Sequence, residues 1–195
     1  MTPRILLFAR LLPLLALLAG CGSSQRPAGG SASASLNVPG ISCAPFAREL
    51  SGIALYGEAD SWWRSAGGQY TRSARPILGG VLVFKRSARL HSGHVSVVTR
   101  LIGPRQIEVT QANWVPGHVD ADQMVVDVSP DNDWSEVRVW YPPVNQLGNT
   151  AYAAHGFIHP RRPATRDELA RATPAAARYA LDTTGRPRPR ARIDG

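Results

Sequence analysis

Cysteine is scarce in this chain of 195 residues: only Cys21 and Cys43 are present. A disulfide framework of the kind that staples small secreted domains is therefore excluded, and at most one bridge could form. Lysine is confined to Lys85, and no basic stripe interleaved with aromatics runs through the middle of the chain. Part of the formal net charge of +8 comes from Arg4 and Arg10, and from Arg161 onward arginine exceeds Asp167, Glu168, Asp182 and Asp194 by five. Residues 21–160 are thus close to neutral, which argues against a nucleic-acid partner. The histidines have no Cys or carboxylate at zinc-ligand spacing, and Asp131 and Asp133 lack the glycine and closing glutamate of a calcium loop. No metal or other cofactor is expected.

Apolar runs long enough to span a bilayer are missing as well. The stretch Leu11 to Leu18 is too short, and with Arg4 and Arg10 around it residues 1–20 read as an export signal. Leu18-Ala19-Gly20-Cys21 has the form of a bacterial lipobox, so Cys21 is expected to be lipidated and to tie the mature chain to a membrane. Gly22 offers no inner-membrane retention signal, which in a diderm places the protein in the cell envelope, on the periplasmic face of the outer membrane. Lipidation would take Cys21 out of any disulfide and leave Cys43 a single free thiol. Residues 22–38 carry almost no large apolar side chains and are expected, with Cys21, to form a flexible tether averaging roughly 20 to 25 Å in reach.

Around Cys43 the sequence is rich in signals. Ser42 suits a helix N-cap, Pro45 has no amide hydrogen to lose in a first turn, and Gly52 suits a C-terminal stop. A cysteine there faces unpaired N–H groups and the positive end of a helix dipole, which favour a thiolate. Glu58 to Ala66 reads as a second helix stopped by Gly67-Gly68. For its Trp62-Trp63 pair two readings stay open, core packing or the lining of a groove. Strands are expected at Gly80 to Lys85, His94 to Leu101, Gln106 to Asn113, Met124 to Val128, Val137 to Tyr141 and Gly156 to Ile158. Helices first and an antiparallel sheet afterwards predict an α+β fold.

Three stretches together are specific: Ser42-Cys43 before a helix, Gly93-His94 opening an apolar strand, and Gln111-Ala112-Asn113-Trp114 ending the next. The pattern resembles the CHAP family of cysteine, histidine-dependent amidohydrolases and peptidases, over about Cys43 to Trp140. The resemblance implies a papain-like, NlpC-like fold with N-terminal helices packed on an antiparallel sheet, spanning residues 39–160. In that frame Cys43 is the nucleophile, His94 the acid and base, and Asn113 the residue that orients the ring. Gln111, two before Asn113 and on the same strand face, is a possible orienting residue. Many relatives place an acid at that position, and glutamine cannot stabilise an imidazolium by charge.

The activity implied is cleavage of an amide bond in a peptidoglycan peptide, through a thioester on Cys43 and an oxyanion held by helix-start N–H groups. The alternative is a catalytically silent CHAP-like lipoprotein that binds wall peptides or a partner protein. Beyond residue 160, Thr165 and Glu168 form a capping box, Thr173-Pro174 restarts a second short helix, and the arginine-rich end from Asp182 reads as a disordered tail.

Overall fold

The computed structural model describes residues 34–182. The chain divides into a unit of Met1–Gly30, which lies outside the described residues, and a unit of Ser31–Gly195, to which everything below belongs. The expected export signal, the lipidation site Cys21, most of the tether and the basic tail also lie outside them.

The elements run β1 (Ser35–Asn37), α1 (Cys43–Ser51), α2 (Ser61–Ser65), β2 (Arg72–Ser73), β3 (Val81–Phe84), β4 (His94–Gly103) and β5 (Gln106–Ala112). They continue with β6 (His118–Asp127), β7 (Glu136–Tyr141), β8 (Gln146–Leu147), β9 (Tyr152–Ile158) and α3 (Arg166–Asp182). All pairings are antiparallel, and β6, β5, β4, β3, β9 and β7 follow one another in the sheet. Because β7 also pairs with β6, through Val125 opposite Val139 and Asp127 opposite Val137, the sheet closes on itself. Among the described residues the protein is therefore a six-stranded antiparallel β-barrel with three helices. The expected α+β papain-like fold, with helices packed on a sheet, is not what forms.

The reason for that difference sits in β6. Its first half, His118-Val119-Asp120-Ala121-Asp122-Gln123, carries two carboxylates and reads as a loop, so only Met124 to Val128 was expected as strand. In the fold Asp120 and Gln123 are buried, and the full ten-residue strand is long enough to pair with β5 along one side and β7 at its end. β9 is likewise longer than Gly156 to Ile158 and pairs with both β3 and β7, which completes the ring. The second helix, by contrast, shrinks to Ser61–Ser65.

Strand alternation separates two cores. Leu82, Phe84, Val98, Ile107, Val109, Val125, Trp134 and Phe157 pack together as one apolar cluster inside the ring. Val81, Val83, Val95, Val97, Ala112 and Val119 face the other way and join Phe46, Ala47 and Leu50 of α1 and Leu169, Ala176 and Ala177 of α3. The helices thus cover one outer flank of the barrel. Burying Phe46 alone is worth roughly 1.5 to 3 kcal/mol.

Two ends of the domain differ from the sequence reading. Ser35–Asn37, expected within the tether, pairs with β6, because backbone ladder bonds can form whatever the side chains are. The C-terminal segment is one helix with Pro174 inside it, not two. Thr173 Oγ1 donates to the Leu169 carbonyl at 2.8 Å, and the capping box closes with Glu168 N–H on Thr165 Oγ1 at 3.2 Å and Thr165 N–H on Glu168 Oε2 at 2.7 Å.

Candidate active site

Helix α1 starts at Cys43 in the way its sequence dictates. Ser42 is extended, at φ −122° and ψ 145°, yet its side chain makes no capping bond. Gly52 ends the helix in the left-handed region at φ 71°, with its N–H on the Arg48 carbonyl at 2.9 Å. Pro45 offers no donor, and the Phe46 N–H is taken by the Ser42 carbonyl at 3.3 Å. That leaves the N–H groups of Cys43 and Ala44 to face the thiol, where Val95 N–H of β4 joins them. All three favour a thiolate, but burial outweighs them and holds the Cys43 thiol above its ordinary range. The direction is opposite to the one the helix start alone predicts.

His94 is the first residue of β4 and is 3% exposed. Gly93 before it sits at φ +72°, so close to Asp60 and the Phe84 carbonyl that a Cβ would lie 2.7 to 2.8 Å from their atoms. Only glycine lets the chain turn into β4 there. The ring packs edge-on against Phe84 and Trp114, at centroid distances of 5.5 and 5.1 Å. Desolvation in this aromatic setting pushes the imidazole down to about 4, against the opposing effect of the hydrogen bond it donates to Gln111.

That bond joins His94 Nε2 to Gln111 Oε1 at 3.0 Å. A side-chain carbonyl only accepts, so Nε2 carries the hydrogen and Nδ1 is left as the basic nitrogen. The register explains the pairing: Val97 stands opposite Thr110, so Gln111 falls one step further along and on the same face as His94. Asn113 lies elsewhere. It is past the end of β5 in the left-handed region at φ 63°, its Oδ1 accepts from Gly117 N–H at 3.0 Å, and its N–H donates to the His118 carbonyl at 2.7 Å. Asparagine closes the turn into β6, and glutamine holds the ring. The structure brings His94 and Gln111 together, while Cys43 packs with the helix-side core and reaches the same strand through the N–H of Val95, the residue that follows the histidine. No hydrogen bond joins Sγ to the imidazole among the described residues.

Trp62 is wholly buried and belongs to the core. Trp63 stacks on His155 at 5.7 Å with 9° between planes, and the Arg72 guanidinium lies 5.2 Å from its ring centre. Sequence reasoning missed the pair of His155 Nε2 and Asp60 Oδ1, 3.0 Å apart, since the two residues come from distant segments with no local signal. It also missed a cavity of about 410 Å³ beside Trp114, lined among others by Arg89, Tyr141, Gln146, Asn149 and Tyr152. Trp114 forms one wall of that cavity and touches His94 with the same ring.

Among known proteins, the family model for the CHAP domain matches residues 33–113, a span that holds Cys43, His94, Gln111 and Asn113. No curated protein matches the chain. A solved structure titled "The crystal structure of Ly7917" is similar at 12% identity and a TM-score of 0.29, over 66% of this chain and 89% of its own.

Proposed function

We propose that the protein is a cysteine amidohydrolase that cuts amide bonds of peptidoglycan, because the model for the CHAP domain, a family of amidases and peptidases, matches residues 33–113. The observation that carries this reading is the bond from His94 Nε2 to Gln111 Oε1, which leaves Nδ1 basic beside the strand that contacts the thiol. Cys43 attacks the amide carbonyl as its proton passes to His94 Nδ1, and the carbonyl π-electrons move onto oxygen. The N–H groups at the start of α1 take up the oxyanion. The oxyanion electrons return to re-form the carbonyl as the C–N bond breaks and the imidazolium protonates the leaving amine, and the neutral imidazole left behind later takes a proton from the water that hydrolyses the thioester. Gln111 orients the ring throughout, and the cavity beside Trp114 offers aromatic faces and Arg89 to the flanking parts of the substrate.

The resting pair is neutral on both sides, a thiol held up by burial and an imidazole held down. Proton transfer therefore accompanies attack, where an ion pair would precede it. The same neutrality favours a second reading, a silent lipoprotein that keeps the site buried and only binds wall peptides. Export and lipidation at Cys21 complete both proposals, placing either protein on the periplasmic face of the outer membrane.

Digestion of purified sacculi by residues 22–195, beside Cys43→Ala, tests them, with products resolved by mass spectrometry. Fragments from the wild type alone are expected, and their masses name the bond. No fragments, together with a Cys43 inert to iodoacetamide at neutral pH, would leave the binding reading in possession.

A further inference from the structure

Gln111 is itself only half accounted for. Its Oε1 holds His94, but its Nε2, in a side chain with no exposed surface, has no hydrogen-bond partner. Opposite it in the β5–β6 ladder is Asp120, paired Cα to Cα, which puts the two side chains on the same face of the sheet. Asp120 is also fully buried; Ser35 of β1 donates to its Oδ1 at 2.7 Å, and its Oδ2 has no partner. Ser96 Oγ, one alternation along β4 from His94, is a third buried group without a partner in the same row.

A buried carboxylate oxygen and a buried amide N–H without partners are each costly, and on one face of neighbouring strands each offers what the other lacks. The acid that glutamine at 111 fails to supply is present one strand further out.

We propose that Asp120 is a positioning residue for His94, acting through the Gln111 amide: Asp120 Oδ2 accepts from Gln111 Nε2–H, and Gln111 Oε1 accepts from His94 Nε2–H. The inference rests on the reading of His94 as the base of Cys43. The carboxylate fixes which end of the amide faces the imidazole, since an inverted Gln111 would aim N–H at N–H. It also polarises the amide toward the ring, so that charge developing on His94 is met by charge two hydrogen bonds away. Ser35 holds the outer carboxylate oxygen and with it the orientation of Asp120. The row thus crosses β1, β6, β5 and β4.

The test uses the full-length protein in detergent and reads alkylation of Cys43 by iodoacetamide at fixed pH, located by peptide mass spectrometry, so no wall substrate is needed. Asp120→Asn keeps the size of the side chain and removes the charge. It is expected to slow alkylation about tenfold, the lower end of what residues supporting a site usually cost. The double variant Gln111→Glu, Asp120→Asn exchanges acid and amide between the two positions, and it is expected to regain the wild-type rate. A role for Asp120 in merely pinning β1 would not be rescued from position 111. An unchanged rate in Asp120→Asn overturns the proposal, and so does a double variant no better than Asp120→Asn in folding or in rate. Sacculi left uncut by the wild type, with the double variant showing the expected rescue of alkylation, would count against the hydrolase reading alone.

Discussion

His94 and Gln111 meet across neighbouring strands, Nε2 to Oε1 at 3.0 Å, with both side chains out of contact with water. The bond decides the tautomer of the ring, and with it which nitrogen is free to take a proton. Several measurable consequences rest on it and on its surroundings.

Gln111→Leu removes the acceptor while nearly keeping the volume. The ring loses its reason to keep the hydrogen on Nε2, so kcat on sacculi should fall by about 10²-fold or more with little change in KM. Asn113→Ala should cost far less in kcat, because the Asn113 side chain serves Gly117 in a turn. Equal losses from the two variants would contradict the assignment of the orienting role to Gln111.

The depressed imidazole couples stability to pH. An unfolded His94 takes up its proton near 6.5, whereas the folded one does so only near 4. Between those values the unfolded chain binds more protons, so the stability present above pH 6.5 is lost as pH falls toward 4. The total is on the order of 3 kcal/mol. Denaturant midpoints measured from pH 7 to pH 4 should drop more steeply in wild type than in His94→Gln; parallel curves would refute a buried neutral ring.

Cys43 titrates in the opposite sense. Burial holds its thiol above the ordinary range, so the alkylation rate of the folded protein should rise with pH later than that of the same chain in denaturant. A folded midpoint below the denatured one would mean that the helix start and His94 outweigh burial after all.

Gly93→Ala is expected to be among the costliest small substitutions. Its Cβ would meet the Phe84 carbonyl at 2.7 Å and Asp60 backbone and side-chain atoms at 2.8 Å, in a left-handed conformation that by itself costs about 1–2 kcal/mol. Relief requires the start of β4 to move, and His94 moves with it. Thermal unfolding should fall by several degrees and activity should fall further; a stable variant with wild-type turnover would show that this turn does not set the histidine's position.

The parts that could be read from sequence were those fixed by local chemistry. The α1 helix follows from Ser42, Pro45 and Gly52, the β4–β5 hairpin from β-branched runs around Gly103-Pro104, and the α3 start from Thr165 and Glu168. Barrel closure was not legible, because it depends on β6 burying Asp120 and Gln123, and burial of polar residues inverts the hydrophobic signal that marks a strand. That the Asn113 side chain bonds Gly117 while Gln111 bonds His94 was hidden for a related reason. Two residues on one strand face are equivalent by alternation, and only the turn at Gly117 separates them. The direction of the Cys43 shift was read from the helix terminus alone, which reports the local field and not the desolvation that burial adds.

The closed ring also imposes an order of assembly. The β3–β4, β4–β5 and β5–β6 contacts join neighbouring segments and can form as the chain emerges, but Val81 of β3 must wait for Ile158 of β9 before the circle is complete. Contacts so far apart in sequence form late and slowly. Until then β3, the neighbour of the strand that carries His94, keeps an open edge. The residues of the site are thus all synthesised well before Tyr152–Ile158, the strand that closes the ring.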